Sequence, residues 1–285
     1  MPLLNSQCDY HFHSTASDGQ LSPSEVIQLA AERGLKEVAL TDHDTFAGVD
    51  EAQQQAQQLG MHLIPGMEFS CLWSGVTIHL VALWPQGLTS SALEIETSQN
   101  QARWARAERI IERLNKAEMP ITLDQVLSYS AGHVPGRPHF AACLVEQGYS
   151  KNMGQAFRRW LGAGKIADVK NAWVELDESV QRLKAAGALV SLAHPLRYKL
   201  TRSKRQRLIH AFSQAGGQAL ELVSGRQDSQ QTASLLKTAN ALGLICTWGS
   251  DFHGPGPACP APGMYATLPE ACQPLSQATS CLFNA

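Results

Sequence analysis

Short apolar segments alternate with helical patterns along most of this chain, and this alternation is the feature that most constrains its fold. Early in the chain, the predicted strands are CDYHFH, EVALTDH, HLIPGMEF and VTIHLVALW. Three more, ALVSLAH, ALELVS and LICTWGSDFH, occur among helical segments near the end. Repeated strand–helix units predict parallel strands with helices outside them. Seven strands favour an α/β fold, a distorted (β/α)7 barrel, and a doubly wound open sheet is the alternative.

The middle of the chain differs, because helical patterns follow one another there without a convincing strand. These patterns are SQNQARWARAERIIERLNKAE, TLDQVLSYSA, RPHFAACLVEQG and MGQAFRRWLG. We therefore predict a barrel domain formed by residues 1–96 and 168–285. Residues 97–167 are predicted to form a helical insertion that caps the functional site.

The composition argues against several classes of protein. Among 285 residues, 23 are basic and 25 are acidic, which argues against a surface that is basic all over but allows local basic patches. The sequence contains no run of about 18 apolar residues, so we expect no membrane-spanning helix. The start, MPLLNSQCDY, lacks the pattern of a secretion signal, and the seven cysteines include no C-x-x-C pair. We expect a cytoplasmic protein with reduced thiols, without membrane association, and we predict no protein partner.

Histidines and carboxylates gather at the predicted strand ends. Alternation along a strand places His11 and His13 on the same face. The carboxyl ends of all strands in a parallel barrel meet at one rim. Nine side chains are expected there: His11, His13, Asp18, His43, Glu68, His79, His194, Asp251 and His253. Any one of them alone is more often a hydrogen-bonded rim residue than a ligand, but six of the ten histidines share this rim.

The chemistry of these side chains predicts bound metal. Buried imidazoles and carboxylates are costly to desolvate, and cations offset that cost. A set without thiolates suits Mn²⁺, Zn²⁺ or Fe²⁺. Nine groups exceed one coordination shell, so we expect two or three divalent ions, with Glu68 or Asp251 as a bridge. Ions about 3.5–4 Å apart suit phosphoryl chemistry, because they generate hydroxide near neutral pH and stabilise charge on the attacking and leaving oxygens.

Several motifs occur in a characteristic order. They are H-x-H-S-x-x-S-D-G (11–19), T-D-H (41–43), G-x-E (66–68), A-H-P (193–195) and S-D-x-H (250–253). Together with a histidine in the fourth strand they resemble the PHP (polymerase and histidinol phosphatase) family. The resemblance implies a distorted (β/α)7 barrel with a multinuclear metal site, Mn²⁺ favoured, and all nine groups as metal ligands. His43, His194 and Asp251 are the expected catalytic residues among them.

The insertion, with its G-R-P-H motif, is most similar to that of small bacterial members of this family. They remove the 3′-phosphate of 3′,5′-nucleoside bisphosphates, and related members are 5′-to-3′ exoribonucleases on short RNA. The resemblance thus implies a metal-dependent phosphoric monoester hydrolase whose substrate is a small nucleotide or short RNA. Alternatives are a histidinol-phosphate or other small phosphomonoester phosphatase, a non-enzymatic binder of metal or nucleotide, and a metal-dependent amide hydrolase.

Candidate substrate contacts include Asp18 and two residues of the G-R-P-H motif. Arg137 precedes a proline at a predicted helix start, where a phosphate binds favourably. His139 is either a proton donor or a structural residue of that helix start. Asp42 and Asp44 flank His43, and Asp9 faces the same side of the predicted first strand as His11. We therefore expect these three aspartates to orient imidazoles. Asp44 is also a candidate proton shuttle.

Arginines provide the remaining substrate candidates. Arg103 and Trp104 can hold a phosphate and stack a base. The alternative is a core tryptophan on an amphipathic helix whose arginines face water. Arg197 opens the most basic run, RYKLTRSKRQR, and lies three residues after His194. The rest of that run is either a solvated face or a surface that steers polyanions.

Overall fold

The computed structural model describes residues 5–169, 172–256, 260–270 and 272–275. Seven strands form one sheet in chain order: β1 (Cys8–Asp9), β2 (Glu37–Leu40), β3 (His62–Trp73), β4 (Val76–Leu83), β5 (Leu189–Leu192), β6 (Ala219–Ser224) and β7 (Ile245–Gly249). The α-helices are α1 (Pro23–Glu32), α2 (Val49–Gln58), α3 (Ser90–Lys116), α4 (Leu123–Leu127), α5 (Arg137–Glu146), α6 (Met153–Ala156), α7 (Leu176–Ala185), α8 (Arg202–Gln214) and α9 (Ser229–Leu242). No helix among these residues is long and apolar enough to cross a bilayer.

The first and last strands meet, so the sheet is a nearly closed barrel. The backbone N–H of Tyr10 donates to the carbonyl of Trp248 at 3.1 Å. Beyond β1 and β7, a parallel bridge joins Phe12 to Phe252. The predicted distorted barrel is confirmed, and the open-sheet alternative is wrong. Regular pairing in β1 is confined to Cys8–Asp9, so the histidines of the predicted first strand lie in extended chain beyond it.

Strand β4 runs antiparallel to both of its neighbours, whereas we expected a parallel strand. β3 and β4 form a hairpin whose two-residue turn, Ser74 and Gly75, has positive φ at both positions, as a tight right-twisted hairpin requires. β3 continues to Trp73, so Glu68 lies within the strand and not at its end. Because β4 is reversed, His79, opposite Ser70 in the hairpin, still reaches the same rim.

The insertion has an apolar core of its own, which includes Phe140 and Leu144. Helix α3 contributes to both cores. Ile95, near its start, packs with the barrel cluster, while Ile110, farther along, packs with the insertion cluster. The predicted boundary at residue 97 therefore falls inside a continuous helix that begins at Ser90. The division into two domains and the capping role of residues 97–167 stay predictions.

Gly249→Ala is expected to destabilise the barrel at its closure by about 1–3 kcal/mol, because an added methyl overpacks a filled site. A Cβ at Gly249 would lie 2.4 Å from the Cβ of His11 and 2.7 Å from its backbone nitrogen. Urea unfolding measures the change. Gly154→Ala is the matched control, because a Cβ there meets at closest the guanidinium end of Arg158, at 3.3 Å. Equal stability of both variants would contradict this account of the closure.

Candidate metal centre and phosphate site

Glu68 lies at the centre of the rim and is fully buried. Its carboxylate approaches five imidazoles that belong to four different parts of the barrel. Oε2 lies 3.3 Å from His11 Nε2, 3.2 Å from His13 Nε2 and 3.1 Å from His43 Nδ1. Oε1 lies 2.9 Å from His79 Nδ1 and 2.7 Å from His194 Nε2.

Two aspartates complete the cluster on either side of His13. Asp251 Oδ1 lies 3.4 Å from His13 Nε2 and 3.4 Å from His253 Nδ1. Asp18 Oδ1 lies 3.5 Å from His253 Nε2, and Oδ2 lies 3.8 Å from His43 Nε2. The structure thus brings all nine predicted side chains together.

Eight of the nine form three overlapping sets whose potential ligand atoms lie within 4.8 Å of one another. The sets are His11, His13, Glu68 and Asp251; His13, Asp18, His43 and His253; and His43, Glu68 and His79. His194 stands outside these sets but bonds to Glu68. Three such sets of potential ligands, with His13, His43 and Glu68 each in two of them, are consistent with the expectation that the cluster holds more than one ion.

Among the described residues, several buried polar atoms in this cluster have no partner with hydrogen-bond geometry, and this bears on whether the cluster fits a metal. They are His11 Nε2, both ring nitrogens of His13, His43 Nδ1, His79 Nδ1, His194 Nδ1 and Asp251 Oδ1. Buried polar atoms without a hydrogen bond are rare in folded proteins, and one explanation for them is that they bind an ion. Imidazole nitrogens and carboxylate oxygens are ordinary ligands of divalent transition metals, so these residues fit such ions.

The carboxylates of the cluster are held in the charged form that metal binding needs. Burial acts to raise the pKa of Glu68, but the surrounding imidazoles hold that pKa well below its usual range. Burial also acts to raise the pKa of Asp251, and His11, His13 and other cations lower it well below the ordinary value. Deprotonated carboxylates surrounded by imidazoles form a site with charge complementary to divalent cations.

The backbone is strained where β5 and β7 bring His194 and Asp251 to the cluster. His194 has φ of 28° and Asp251 has φ of 51°, a region that residues with side chains seldom adopt. Such outliers concentrate at functional sites, where the surrounding structure holds them in place. Both strands therefore end in turns that aim a candidate ligand side chain into the cluster.

Glu221 orients the cluster, and sequence reasoning missed it. Its Oε1 lies 2.9 Å from His11 Nδ1, and its Oε2 accepts the backbone N–H of His194 at 2.5 Å. A carboxylate bonded to one ring nitrogen fixes the orientation of the imidazole, so that the second nitrogen, Nε2 in His11, faces the cluster. The signal was present in the sequence, because Glu221 is the only charged residue of the buried strand ALELVS.

The three aspartates expected to orient imidazoles have other roles, so that expectation is wrong. Asp42 accepts hydrogen bonds from Ser14 and from the Ser17 hydroxyl, and it thereby fixes the loop that carries Asp18. Asp9 accepts the backbone N–H groups of His11, Ser250 and Gly263. These bonds tie the first strand to the chain that follows β7.

Asp44 anchors an arginine of the insertion. Its carboxylate accepts the N–H and hydroxyl of Ser70 at 2.6 and 2.7 Å, the Gln99 amide at 2.9 Å and Arg103 Nε at 2.6 Å. Burial acts to raise the pKa of Asp44, but Arg103 and these donors hold the pKa below its usual value. A buried carboxylate with four donors serves as an anchor and not as the proton shuttle that we expected.

Asp44→Asn is expected to lower the free energy of unfolding by about 3–5 kcal/mol, because it leaves the Arg103 charge buried without its partner. Arg103 is 7% exposed and Asp44 is fully buried. Chemical denaturation of the variant measures the loss. The double variant Asp44→Asn/Arg103→Met removes the orphaned charge and should recover part of the stability. A single variant as stable as the wild type would contradict the anchoring role.

A cavity of about 120 Å³ adjoins the cluster and collects three arginines. Asp18, His43 and His79 line it on the cluster side, and Arg103, Arg106 and Arg137 line it on the insertion side. Burial and the other two guanidiniums lower the pKa of Arg106 to about 9, and its Nε has no hydrogen-bond partner within the part of the chain that the structure describes. The ring of Trp173 lies 5.5 Å from the Arg106 guanidinium. Crowded, partly unpaired guanidiniums form a site for an anion.

A second cavity, of about 310 Å³, shares His43 and Arg103 with the first and is lined by Trp104 and His133. Trp104 is half-buried on its wall, whereas Arg103 and Arg106 are buried. The alternative in which these arginines face water is therefore wrong. Sequence reasoning also missed Arg106, although it shares a helix face with Arg103 at a spacing of three residues.

The two remaining candidates lie apart from these cavities. His139 is buried at the start of α5, and its Nδ1 accepts the backbone N–H of Gly136 at 2.9 Å, as a helix cap. Arg197 lies on another side of the cluster, with its guanidinium against Asp251, and is 46% exposed.

Known proteins resemble the chain over most of its length. The PHP domain family model matches residues 9–106. A 5′-3′ exoribonuclease of Haemophilus influenzae is 39% identical over 88% of this chain and 92% of the relative. A 3′,5′-nucleoside bisphosphate phosphatase of Chromobacterium violaceum is 35% identical over 94% of each chain.

Solved structures agree with these relatives. An amidohydrolase from Chromobacterium violaceum, with bound sulfate and no metal, superposes with a TM-score of 0.85 at 34% identity over 96% of each chain. A Bifidobacterium adolescentis protein, assigned as a metal-dependent phosphoesterase, has a TM-score of 0.75 and 28% identity over 100% of this chain and 98% of the other. The chain therefore belongs to the PHP domain family, whose relatives here place it among the metal-dependent phosphoesterases.

Proposed function

We propose that this protein hydrolyses the 3′-phosphate of 3′,5′-nucleoside bisphosphates to give a 5′-monophosphate and phosphate. In this proposal the same site also releases 5′ nucleotides from short RNA. The observation that carries the proposal is the cavity that joins the nine-residue cluster to Arg103, Arg106 and Arg137. A substrate with one phosphate would leave this second, arginine-lined subsite without an anion. The names of the Chromobacterium violaceum and Haemophilus influenzae relatives support both activities.

The cluster would hold two or three divalent ions through the nine predicted ligands, with Glu68 or Asp251 as bridge. Mn²⁺ is the favoured ion because three of the ligands are hard carboxylates, and Zn²⁺ and Fe²⁺ are the alternatives. When bound, such ions supply a nucleophile near neutral pH and neutralise charge on the reacting phosphoryl group. Among the ligands we assign His43, His194 and Asp251 as catalytic residues.

The chain's own residues bind and orient the substrate. Arg103 and Arg137 would hold the 5′-phosphate, and the Asp44 anchor fixes Arg103 in place for this contact. Trp104, on the wall of the second cavity, would stack the base. Asp18 lies between the cluster and the arginine cavity, so it would contact the substrate as well as a metal. His139 would act indirectly, because its Nδ1 caps the helix that begins at Arg137.

Phosphate release from adenosine 3′,5′-bisphosphate tests this function, with 3′-AMP, 5′-AMP and histidinol phosphate alongside. Each is assayed with Mn²⁺-, Zn²⁺- and Fe²⁺-loaded protein. We expect kcat/KM for the bisphosphate to exceed that for 3′-AMP by on the order of 100-fold, because 3′-AMP leaves buried arginines without a phosphate. Faster turnover of histidinol phosphate would contradict the substrate assignment but not the metal cluster.

A further inference from the structure

The segment that begins helix α8 carries an unusual concentration of positive charge. Lys199, Arg202, Lys204 and Arg207 are all exposed, and the first turn of the helix holds no acidic residue. Cations at this position oppose the positive end of the helix dipole and repel one another. A local arrangement that costs stability without an evident structural gain indicates a functional surface.

This basic surface, residues 197–207, starts at the metal cluster. β5 pairs in parallel with β6, so the connecting helix α8 runs back along the barrel and its first residues lie at the rim that carries the cluster. Arg197 contacts Asp251 of the cluster. Arg202 follows five residues later, and an extended chain spans at most about 3.6 Å per residue, so its Cα lies within about 18 Å of that of Arg197.

The basic surface and the arginine cavity approach the cluster from different sides. The cavity that would hold the 5′ nucleotide reaches the cluster through Asp18, His43 and His79. The basic surface reaches it through Asp251. A nucleic acid with its first nucleotide in the cavities and its next phosphate on the cluster would therefore continue toward Arg197.

A groove of about 600 Å³ continues in that direction, and Leu196, Arg202 and Arg205 are among the residues that line it. Arg205 is held in place by the carbonyls of Pro195 and Leu200. One carboxylate, that of Asp228, also lines the groove, and it accepts a backbone N–H at the start of α9. The groove is thus basic on the α8 side, where a phosphate backbone would lie.

We propose that residues 197–207 bind the 3′ portion of a single-stranded RNA substrate, whose phosphates pass Arg197 and enter the groove at Arg202, while the exposed Lys199 and Lys204 add positive charge beside it. This inference rests on the proposed function and deepens it, because it assigns the surface that holds a short RNA beyond the nucleotide bound in the two cavities. The net charge of −2 for the whole chain makes this basic surface a local feature and not a general affinity for polyanions.

The test compares wild type with the variant Lys199→Gln/Arg202→Gln/Lys204→Gln, which leaves the cluster and both cavities intact. Substrates are adenosine 3′,5′-bisphosphate and 5′-phosphorylated RNAs of two to eight nucleotides, with metal-loaded protein. The control variant Lys36→Gln/Lys184→Gln/Lys116→Gln removes the same charge at exposed positions outside residues 197–207 and outside the groove lining. Of these, Lys36 and Lys184 lie near the amino ends of β2 and β5, opposite the cluster.

We expect wild-type kcat/KM to rise with RNA length up to about five nucleotides and to fall with salt. Each phosphate contact contributes about 0.7 to the logarithmic salt slope, so three lost contacts lower the slope by about 2 and remove about a twentyfold salt effect between 50 and 200 mM. The α8 variant should lose the length dependence while it retains bisphosphate turnover, and the control should match wild type.

Each alternative outcome is decisive. Equal RNA kinetics in the α8 variant and the wild type, or an equal loss in the control variant, would overturn the proposed RNA surface. Turnover of the bisphosphate without any RNA cleavage by wild type would also overturn it while the phosphatase function stands. If wild type hydrolyses neither substrate, the proposed function itself fails, and the RNA surface fails with it.

Discussion

Glu68→Gln is expected to abolish phosphate release, with kcat/KM lowered at least about 1,000-fold. The carboxylate of Glu68 contacts imidazoles contributed by five different positions of the chain. The amide of glutamine keeps the size of the side chain but removes the negative charge that divalent ions require. Loss of a residue that only supports a ligand costs 10- to 100-fold in affinity or activity, and loss of the central carboxylate should cost more.

Glu37→Gln is the matched control, since it makes the same chemical change at another buried glutamate. Glu37 lies in β2, at the amino end of the strands, where it accepts a hydrogen bond from Tyr10 and contacts His62. We expect near-normal kcat and reduced stability for this variant. Metal content measured on both variants separates a lost ion from a lost fold. Near-normal turnover in Glu68→Gln would contradict the placement of the metal centre.

Arg103→Met is expected to lower kcat/KM for adenosine 3′,5′-bisphosphate by about 100-fold, mainly through KM, and to change kcat/KM for 3′-AMP much less. Arg103 lines both cavities, and a guanidinium–phosphate contact in a buried site is a strong charge-assisted bond. Arg103→Lys should recover only part of the loss, because a lysine cannot donate from the fixed planar geometry that Asp44 holds.

Two further variants separate binding from stability. Arg109→Met changes an exposed arginine on the same helix and should leave both substrates unaffected. Asp44→Asn/Arg103→Met should be more stable than Asp44→Asn alone but as poor a catalyst as Arg103→Met. Equal losses on the bisphosphate and on 3′-AMP would show that Arg103 does not contact the second phosphate.

Much of the cluster could be predicted from sequence, because strand parity and strand ends indicate which side chains reach the rim, although Glu68 and His79 lie within strands. His11 and His13 share a face by alternation, and His194 and Asp251 directly follow apolar runs. The reversed strand β4 was harder to predict, because the hairpin turn Ser74–Gly75 is the sole local sign and the apolar pattern suits either direction. The expected position of His79 at the rim was still correct, because the reversed strand starts on the rim side of the barrel and His79 lies in its first half, opposite Ser70.

The cavity lined by arginines could be predicted only in part, because helical periodicity assigns arginines to solvent by default. Gln99, Arg103 and Arg106 share one buried face of α3, where the rule for amphipathic helices expects apolar residues. Their burial follows from Asp44, which is far away in sequence, and from Trp173 beneath the guanidiniums. Contacts over such separations leave no local pattern. The cytoplasmic location stays a prediction.

Metal content and activity, measured on one preparation, test the central claim most directly. Protein is stripped with a chelator, reconstituted with Mn²⁺, and assayed for bound ions by mass spectrometry and for phosphate release from adenosine 3′,5′-bisphosphate. We expect two or three ions per chain, no turnover after stripping and full recovery on reconstitution. Turnover by stripped protein, or binding of fewer than two ions by a fully active protein, would contradict a multinuclear centre built from these nine side chains.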